Sequence, residues 1–144
     1  LERSSRGKDP LALLITDIDR FKEVNDTYGH DCGDHVLQEI AGLLRKNVRG
    51  QDIVARWGGE EFLILLPATA LQGALTLAEN LRLAVESREI QCEAHAIAVT
   101  MTFGVTEYGP GKDREALVKE ADLALYQGKR TGRNRSIRFS PEMD

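Results

Sequence analysis

The sequence predicts an α+β fold in which helices cover a mixed sheet, and three observations carry that prediction. Apolar runs of strand length recur along the chain, stretches with helical spacing separate them, and a Gly-Gly pair joins two β-rich runs as a hairpin. The resulting order is β-α-β-β-α-β-α-β.

Each element has its own signal. "LALLITDI" (Leu11–Ile18) is a short apolar run ending in carboxylates, which reads as a buried strand. From Asp34 to Val48, apolar residues recur at Val36, Leu37, Ile40, Leu43, Leu44 and Val48, the spacing of one helix face. "DIVARW" and "EFLILLP" flank Gly58-Gly59, so a two-residue hairpin connection is predicted there. Leu71, Ala74, Leu75, Ala78, Leu81 and Val85 mark a second long helix. "AIAVTMTFGV" reads as a strand with Thr100 and Thr102 on one face and Met101 and Phe103 on the other. A third helix is predicted from about Arg114 to Lys129, and a last short strand near "SIRF". Residues 1–9 read as a linker remnant, 10–139 as the domain and 140–144 as a tail.

With 144 residues, 42% of them apolar and 29% charged, the chain fits one ordinary globular domain with a sizeable core. Its net charge of −4 argues against a broad electrostatic grip on nucleic acid. Two cysteines, Cys32 and Cys92, suggest no disulfide framework in a chain this size and point to a reducing compartment, hence the cytoplasm. The opening decapeptide is too polar and charged for a signal peptide. The uncharged stretch from Phe62 to Ala78 is interrupted by Pro67, Thr69, Gln72 and Gly73, so it reads as strand plus helix and not as a membrane span. A membrane anchor elsewhere in a longer parent chain is compatible with all of this.

The chemistry gathers in carboxylates. Glu60 and Glu61 fall at the predicted hairpin tip, and "TDID" sets Asp17 and Asp19 on one face at the end of the first strand. A polar turn explains the glutamates on spacing alone. Two acidic clusters at strand ends, however, make an oxygen-rich pocket suited to Mg²⁺, an ion that commonly bridges carboxylates and phosphates. Asp19 has a second reading, as the cap of a short helix beginning at "RFKEVND".

"DIDRFKEVNDTYGHDCGDHVL", "RWGGEEF", "TMTFG" and "ADLALYQGKRTGRN" occur in the order and spacing of the GGDEF domain, the diguanylate cyclase module, in its GGEEF form. The resemblance runs from Leu11 to about Arg138. It implies a five-stranded palm-like sheet shared with adenylyl cyclases and many polymerases. It also implies condensation of two GTP into cyclic di-GMP and two pyrophosphates.

Residue by residue, the resemblance implies a division of labour. Asp17, the backbone carbonyl of Ile18 and Glu60 match the metal ligands, with Glu61 supporting the second of two Mg²⁺ or Mn²⁺ ions. Glu60 matches the base for the ribose 3′-OH, and Lys22 matches a cation that steadies the phosphates. Asn25 and Asp34 match the guanine-reading pair, with His30 nearby as a base or ribose contact. On their own residues, without the resemblance, Asp34 reads first as a helix N-cap and Asn25 as a turn residue. Lys129 and Arg133 match cations for the β- and γ-phosphates, although cations near a helix C-terminus also favour the helix dipole. Asp122 and Tyr126 read as structural, helping the third helix dock, and Phe21 as core.

"RGQD" sets Arg49 and Asp52 in the R-x-x-D pattern at the register of the family's inhibitory cyclic di-GMP site. Arg82 is a candidate third contributor. The chain departs from the family in three places: it lacks the "D-x-L-T-x-L-x-N-R-R" segment, it has Gly128 where alanine is frequent, and it has Thr102 in place of serine. The favoured reading is a diguanylate cyclase working as a homodimer, one GTP per subunit, with an N-terminal sensory or receiver domain in the parent chain. The rivals are a non-catalytic GTP or cyclic di-GMP receptor, another nucleotidyl cyclase and a structural dimerisation module.

Overall fold

A computed structural model of the chain describes residues 10–143; the linker expected over 1–9 and residue 144 of the tail lie outside them. Among the described residues, seven strands and four helices run in the order β1 (Leu11–Ile18), α1 (Phe21–Tyr28), α2 (His30–Lys46), β2 (Ile53–Gly58), β3 (Glu61–Pro67), α3 (Leu71–Glu86), β4 (Ile90–Cys92), β5 (His95–Ile97), β6 (Met101–Glu107), α4 (Arg114–Arg130) and β7 (Ser136–Arg138). A 3₁₀ turn over Pro141–Met143 follows and lies against α4.

Five strands form the main sheet in the order β2-β3-β1-β6-β7. Among the described residues only the β6–β7 pair is parallel; β1 pairs antiparallel with both β3 and β6. All eight residues of β1 are buried, because the strand is central and both faces are covered. Ala12 and Leu14 point into the larger core with Phe62, Ile64, Phe103 and Val105, which α2 and α3 close with Val36, Ile40, Leu44, Ala78 and Leu81. Leu13 and Ile15 point the other way, onto Leu117, Ala121 and Leu125 of α4. The pleat of one strand therefore serves both layers.

Three sequence expectations change here. The run Ala96–Val105 is not one strand: Ile90–Cys92 and His95–Ile97 pair as a separate small hairpin, and β6 begins only at Met101. The β2–β3 connection centres on Gly59 and Glu60, since Gly58 already pairs with Glu61. A bulge between Arg56 and Gly58 adds a residue to β2 and moves the turn one place along, and the Arg56 guanidinium clasps that turn by donating to Gly59 O at 2.7 and 2.9 Å. Helix α2 begins at His30, so Asp34 lies one turn inside it and caps nothing.

The expectation for the cysteines is overturned. Cys32 and Cys92 form a disulfide across 60 positions with their Cα atoms 5.8 Å apart. The fold lays β4 against the start of α2, a proximity that cysteine counting cannot reveal. With the pair bonded, the cysteines no longer argue for a reducing compartment. Among the described residues, no helix is long and apolar enough to cross a membrane. The stretch Phe62–Ala78 divides into β3 and α3 as predicted.

Candidate functional site

The C-terminal end of β1 delivers Asp17, and its register partner on β3 is Glu61. The turn preceding Glu61 swings Glu60 to the same end, where the Ile18 N–H donates to Glu60 O at 3.3 Å. Antiparallel pairing thus brings together carboxylates that lie 44 positions apart in sequence, Asp17 and Glu61.

Asp17 is 4% exposed, and burial pushes its carboxyl up to about 6 in spite of the Lys129 ammonium beside it. Asp19 and Glu61 add to the upward push. Lys129 Nζ forms an ion pair with Asp17 Oδ2, reaching over from the last turn of α4. Asp17 Oδ1 is buried without a hydrogen-bond partner. Burial also raises Glu61, helped by Asp122 and Glu60 and opposed by Lys129. Asp17, Glu61 and Asp122 therefore all draw on the Lys129 ammonium, and Asp17 Oδ1 is left without a partner. That donor set, carboxylates beside the Ile18 backbone, fits a hard divalent cation, which prefers oxygen ligands and would satisfy Oδ1.

Asp122 and Tyr126 do not dock α4. The helix buries Leu117, Ala121, Ala124, Leu125 and Gly128, which leaves positions 122 and 126 on the outer face. Asp122 instead contributes charge to the acidic cluster. Tyr126 is 60% exposed, with the Arg130 guanidinium 5.8 Å from its ring centre.

Asp19 neither caps α1 nor offers a free oxygen. Its Oδ1 accepts from Thr102 Oγ1 at 2.6 Å, and its Oδ2 accepts from Thr100 Oγ1 at 2.7 Å and the Asn134 N–H at 3.0 Å. Residue 19 thereby clamps the turn between α4 and β7. Arg133 and Asn134 in that turn both have positive φ, 60° and 48°, a conformation that needs such support. Sequence reasoning missed this role, because every partner lies more than 80 positions away.

The remaining candidates occupy two other places. Lys22, Asn25, His30 and Asp34 belong to the α1–α2 helix pair, with Lys22, His30 and Asp34 exposed. Phe21 is core, as predicted. Asn25 lies against α2 so closely that a Cβ on Gly33, the neighbour of Asp34, would overlap its Oδ1. Arg49 and Asp52 are at the far end of β3, about 20 Å from Glu61 along the strand. Arg49 forks onto Asp52 at 3.1 and 3.2 Å, and it also donates to Pro67 O at 3.2 Å and to Thr69 Oγ1. Arg82 commits its guanidinium to Glu79 and Asn134, so it braces the α4–β7 turn instead of joining Arg49.

A family model described as "Diguanylate cyclase, GGDEF domain" matches residues 1–135. The chain belongs to the GGDEF family. The response regulator PleD of Caulobacter vibrioides is 46% identical over 138 residues, covering 93% of this chain and 30% of PleD. The GGDEF domain of DgcB from Caulobacter crescentus, solved in complex with c-di-GMP, superposes with a TM-score of 0.90 at 34% identity, covering 95% of this chain and 82% of that one. The active GGEEF domain of a Vibrio cholerae diguanylate cyclase gives a TM-score of 0.89 at 34% identity, covering 96% and 88%. The chain spans about a third of the length of the curated relatives it matches. The expected fold class, a mixed five-stranded sheet covered by helices, is the one these GGDEF structures share.

Proposed function

We propose that this chain is the catalytic domain of a diguanylate cyclase, spanning residues 10–139, that condenses two GTP into cyclic di-GMP and two pyrophosphates. The observation that carries the reading is the Asp17–Glu61 register pair, with its orphaned carboxylate oxygen and with Lys129 as the countercharge.

Asp17, the Ile18 carbonyl, Glu60 and Glu61 would hold two Mg²⁺ or Mn²⁺ ions. When bound, such ions neutralise triphosphate charge and make the α-phosphate more electrophilic. Lys129 occupies in this state the place where cationic charge is required. With nucleotide present it turns from Asp17 towards the β- and γ-phosphates, where Arg133 joins it from the clamped turn. Lys22 steadies the phosphates from the first turn of α1. Glu60, at the hairpin turn, accepts the proton of the ribose 3′-OH as that oxygen attacks.

Asn25 and Asp34 read the guanine edge, since a carboxylate accepts from N1–H and N2–H₂ while an amide both donates and accepts. His30, at the start of the same helix, lines the base or ribose. Each domain holds one GTP, so bond formation requires two domains facing each other about a two-fold axis. Arg49 and Asp52 form the site at which cyclic di-GMP restrains the enzyme, and binding there requires Arg49 to exchange Asp52 for the ligand. A sensory or receiver domain in the parent chain would control the encounter.

Incubating the chain with GTP and Mg²⁺ and following product by chromatography tests the reading. Cyclic di-GMP from the wild type and none from Glu60→Gln supports it. GTP binding without product, in both proteins, favours the receptor.

A further inference from the structure

Cys32 sits buried in the first turn of α2, one residue before Gly33 and two before Asp34. Cys92 closes β4 and is the more exposed partner. Their bond ties the small β4–β5 hairpin to the helix that carries Asp34. The hairpin meets the same helix pair a second time, where the His95 ring packs 5.0 Å from the ring of Tyr28, the last residue of α1. Ile90 and Ile97, each 1% exposed, anchor the hairpin in the core whether or not the sulfurs are joined. The α1–α2 contact has no slack at this point, because Asn25 Oδ1 fills the space over Gly33. Any movement of the first turn of α2 therefore displaces the seat of Asn25 and the position of Asp34 together.

The geometry points to a thiol–disulfide exchange site at Cys32–Cys92 whose oxidation state sets the mobility of the α1–α2 pair and, through it, the affinity for guanine nucleotide. The nucleotide half of this inference rests on the cyclase reading of Asn25 and Asp34. The site's reaction partner is a dithiol reductant or, in reverse, a disulfide oxidant. A thiolate of the dithiol attacks Cys92 Sγ, the Cys32–Cys92 bond breaks, and Cys32 leaves as a thiolate that takes up a proton. The second thiol of the reductant then displaces Cys92 Sγ, which is protonated in turn. Two electrons and two protons have passed to the protein, and the reductant departs as its own disulfide. Oxidised, the hairpin clamps the start of α2. Reduced, the apolar anchors and the ring contact persist, but the base-reading residues must be ordered by the ligand at the expense of affinity.

The test uses the whole chain and 3′-deoxy-GTP, which lacks the reacting hydroxyl and so binds without turnover. Thiols are counted before and after dithiothreitol, affinity is measured by calorimetry in each state, and amide hydrogen exchange is followed from Phe21 to Asp34. Expected are no free thiols before reduction, faster exchange over that segment after it, and a Kd raised about fivefold or more. Oxidised dithiothreitol reverses both changes, and Cys92→Ser behaves as the reduced protein whatever the reductant. Free thiols that persist under oxidised dithiothreitol, or equal Kd and exchange in both states, overturn the inference. Should neither state bind the nucleotide, the failure belongs to the cyclase reading, and exchange alone then decides the thiol site.

Discussion

The methyl group of Thr102 occupies the space that a side chain at residue 128 would need: a Cβ on Gly128 would lie 2.6 Å from Thr102 Cγ2 and 3.2 Å from Ile137 Cγ1. Two departures from the family pattern, glycine for alanine and threonine for serine, are thus one packing arrangement between α4 and β6. Gly128→Ala gains about 1 kcal/mol of helix propensity but overpacks by about 1–3 kcal/mol, so a net loss of stability is expected. Thr102→Ser keeps the hydroxyl on Asp19 and removes the methyl. In that background Gly128→Ala becomes neutral or stabilising, and urea unfolding of the four proteins yields a coupling of about 1–2 kcal/mol. Strict additivity would remove the relationship.

Asp17 links stability to pH with an unusual sign. Its carboxyl, raised to about 6 by burial, binds a proton more tightly in the folded chain than in the unfolded one. This stabilising contribution is complete below about pH 4 and is lost as pH rises through about 6, a swing of up to about 3 kcal/mol. In metal-free buffer, Asp17→Asn removes that part of the fall in Tm between about pH 5 and about pH 7. Added Mg²⁺ raises the wild-type Tm at the higher pH and leaves the variant unchanged, because a cation requires the ionised carboxylate. Parallel Tm profiles for the two proteins, with and without Mg²⁺, would refute the assignment.

Asp19 holds the turn that carries Arg133. Asp19→Ala removes the acceptor of the buried Thr102 hydroxyl and of the half-buried Thr100 hydroxyl, and one of the two acceptors of the Asn134 N–H, at a cost of about 2–3 kcal/mol. Asp19→Asn retains part of the network and is expected to fold. It should raise KM for GTP more than it lowers kcat, since phosphate grip is weakened while Glu60 and Asp17 remain in place. Unchanged KM in a folded Asp19→Asn protein would limit Asp19 to a structural role.

The elements read most directly from sequence are those with a full period of apolar residues. Leu11–Ile18, Leu71–Glu86 and Arg114–Arg130 match their predicted spans within a residue or so. The β4–β5 hairpin escaped because three-residue strands carry no readable alternation. The start of α2 escaped because "HDCG" offers only Cys32 to the apolar stripe. Within the site, the acidic residues stood out because charges crowded at strand ends violate the ordinary pattern. Their pairings did not stand out: Lys129, legible only as a phosphate cation, reaches Asp17 across 112 positions, and Asn134 reaches Asp19 across 115. Such pairings are set by sheet order and by the path of α4, which no local window contains.

The central claim is that two copies of this domain must meet to make one product. The most direct measurement is initial cyclic di-GMP rate per mole of protein, at saturating GTP and Mg²⁺, across a wide range of protein concentration. The account predicts a specific rate that climbs with concentration towards a plateau, and suppression when Glu60→Gln protein is mixed in as an inactive partner. A specific rate independent of concentration down to the monomeric range, undisturbed by the added variant, would contradict it.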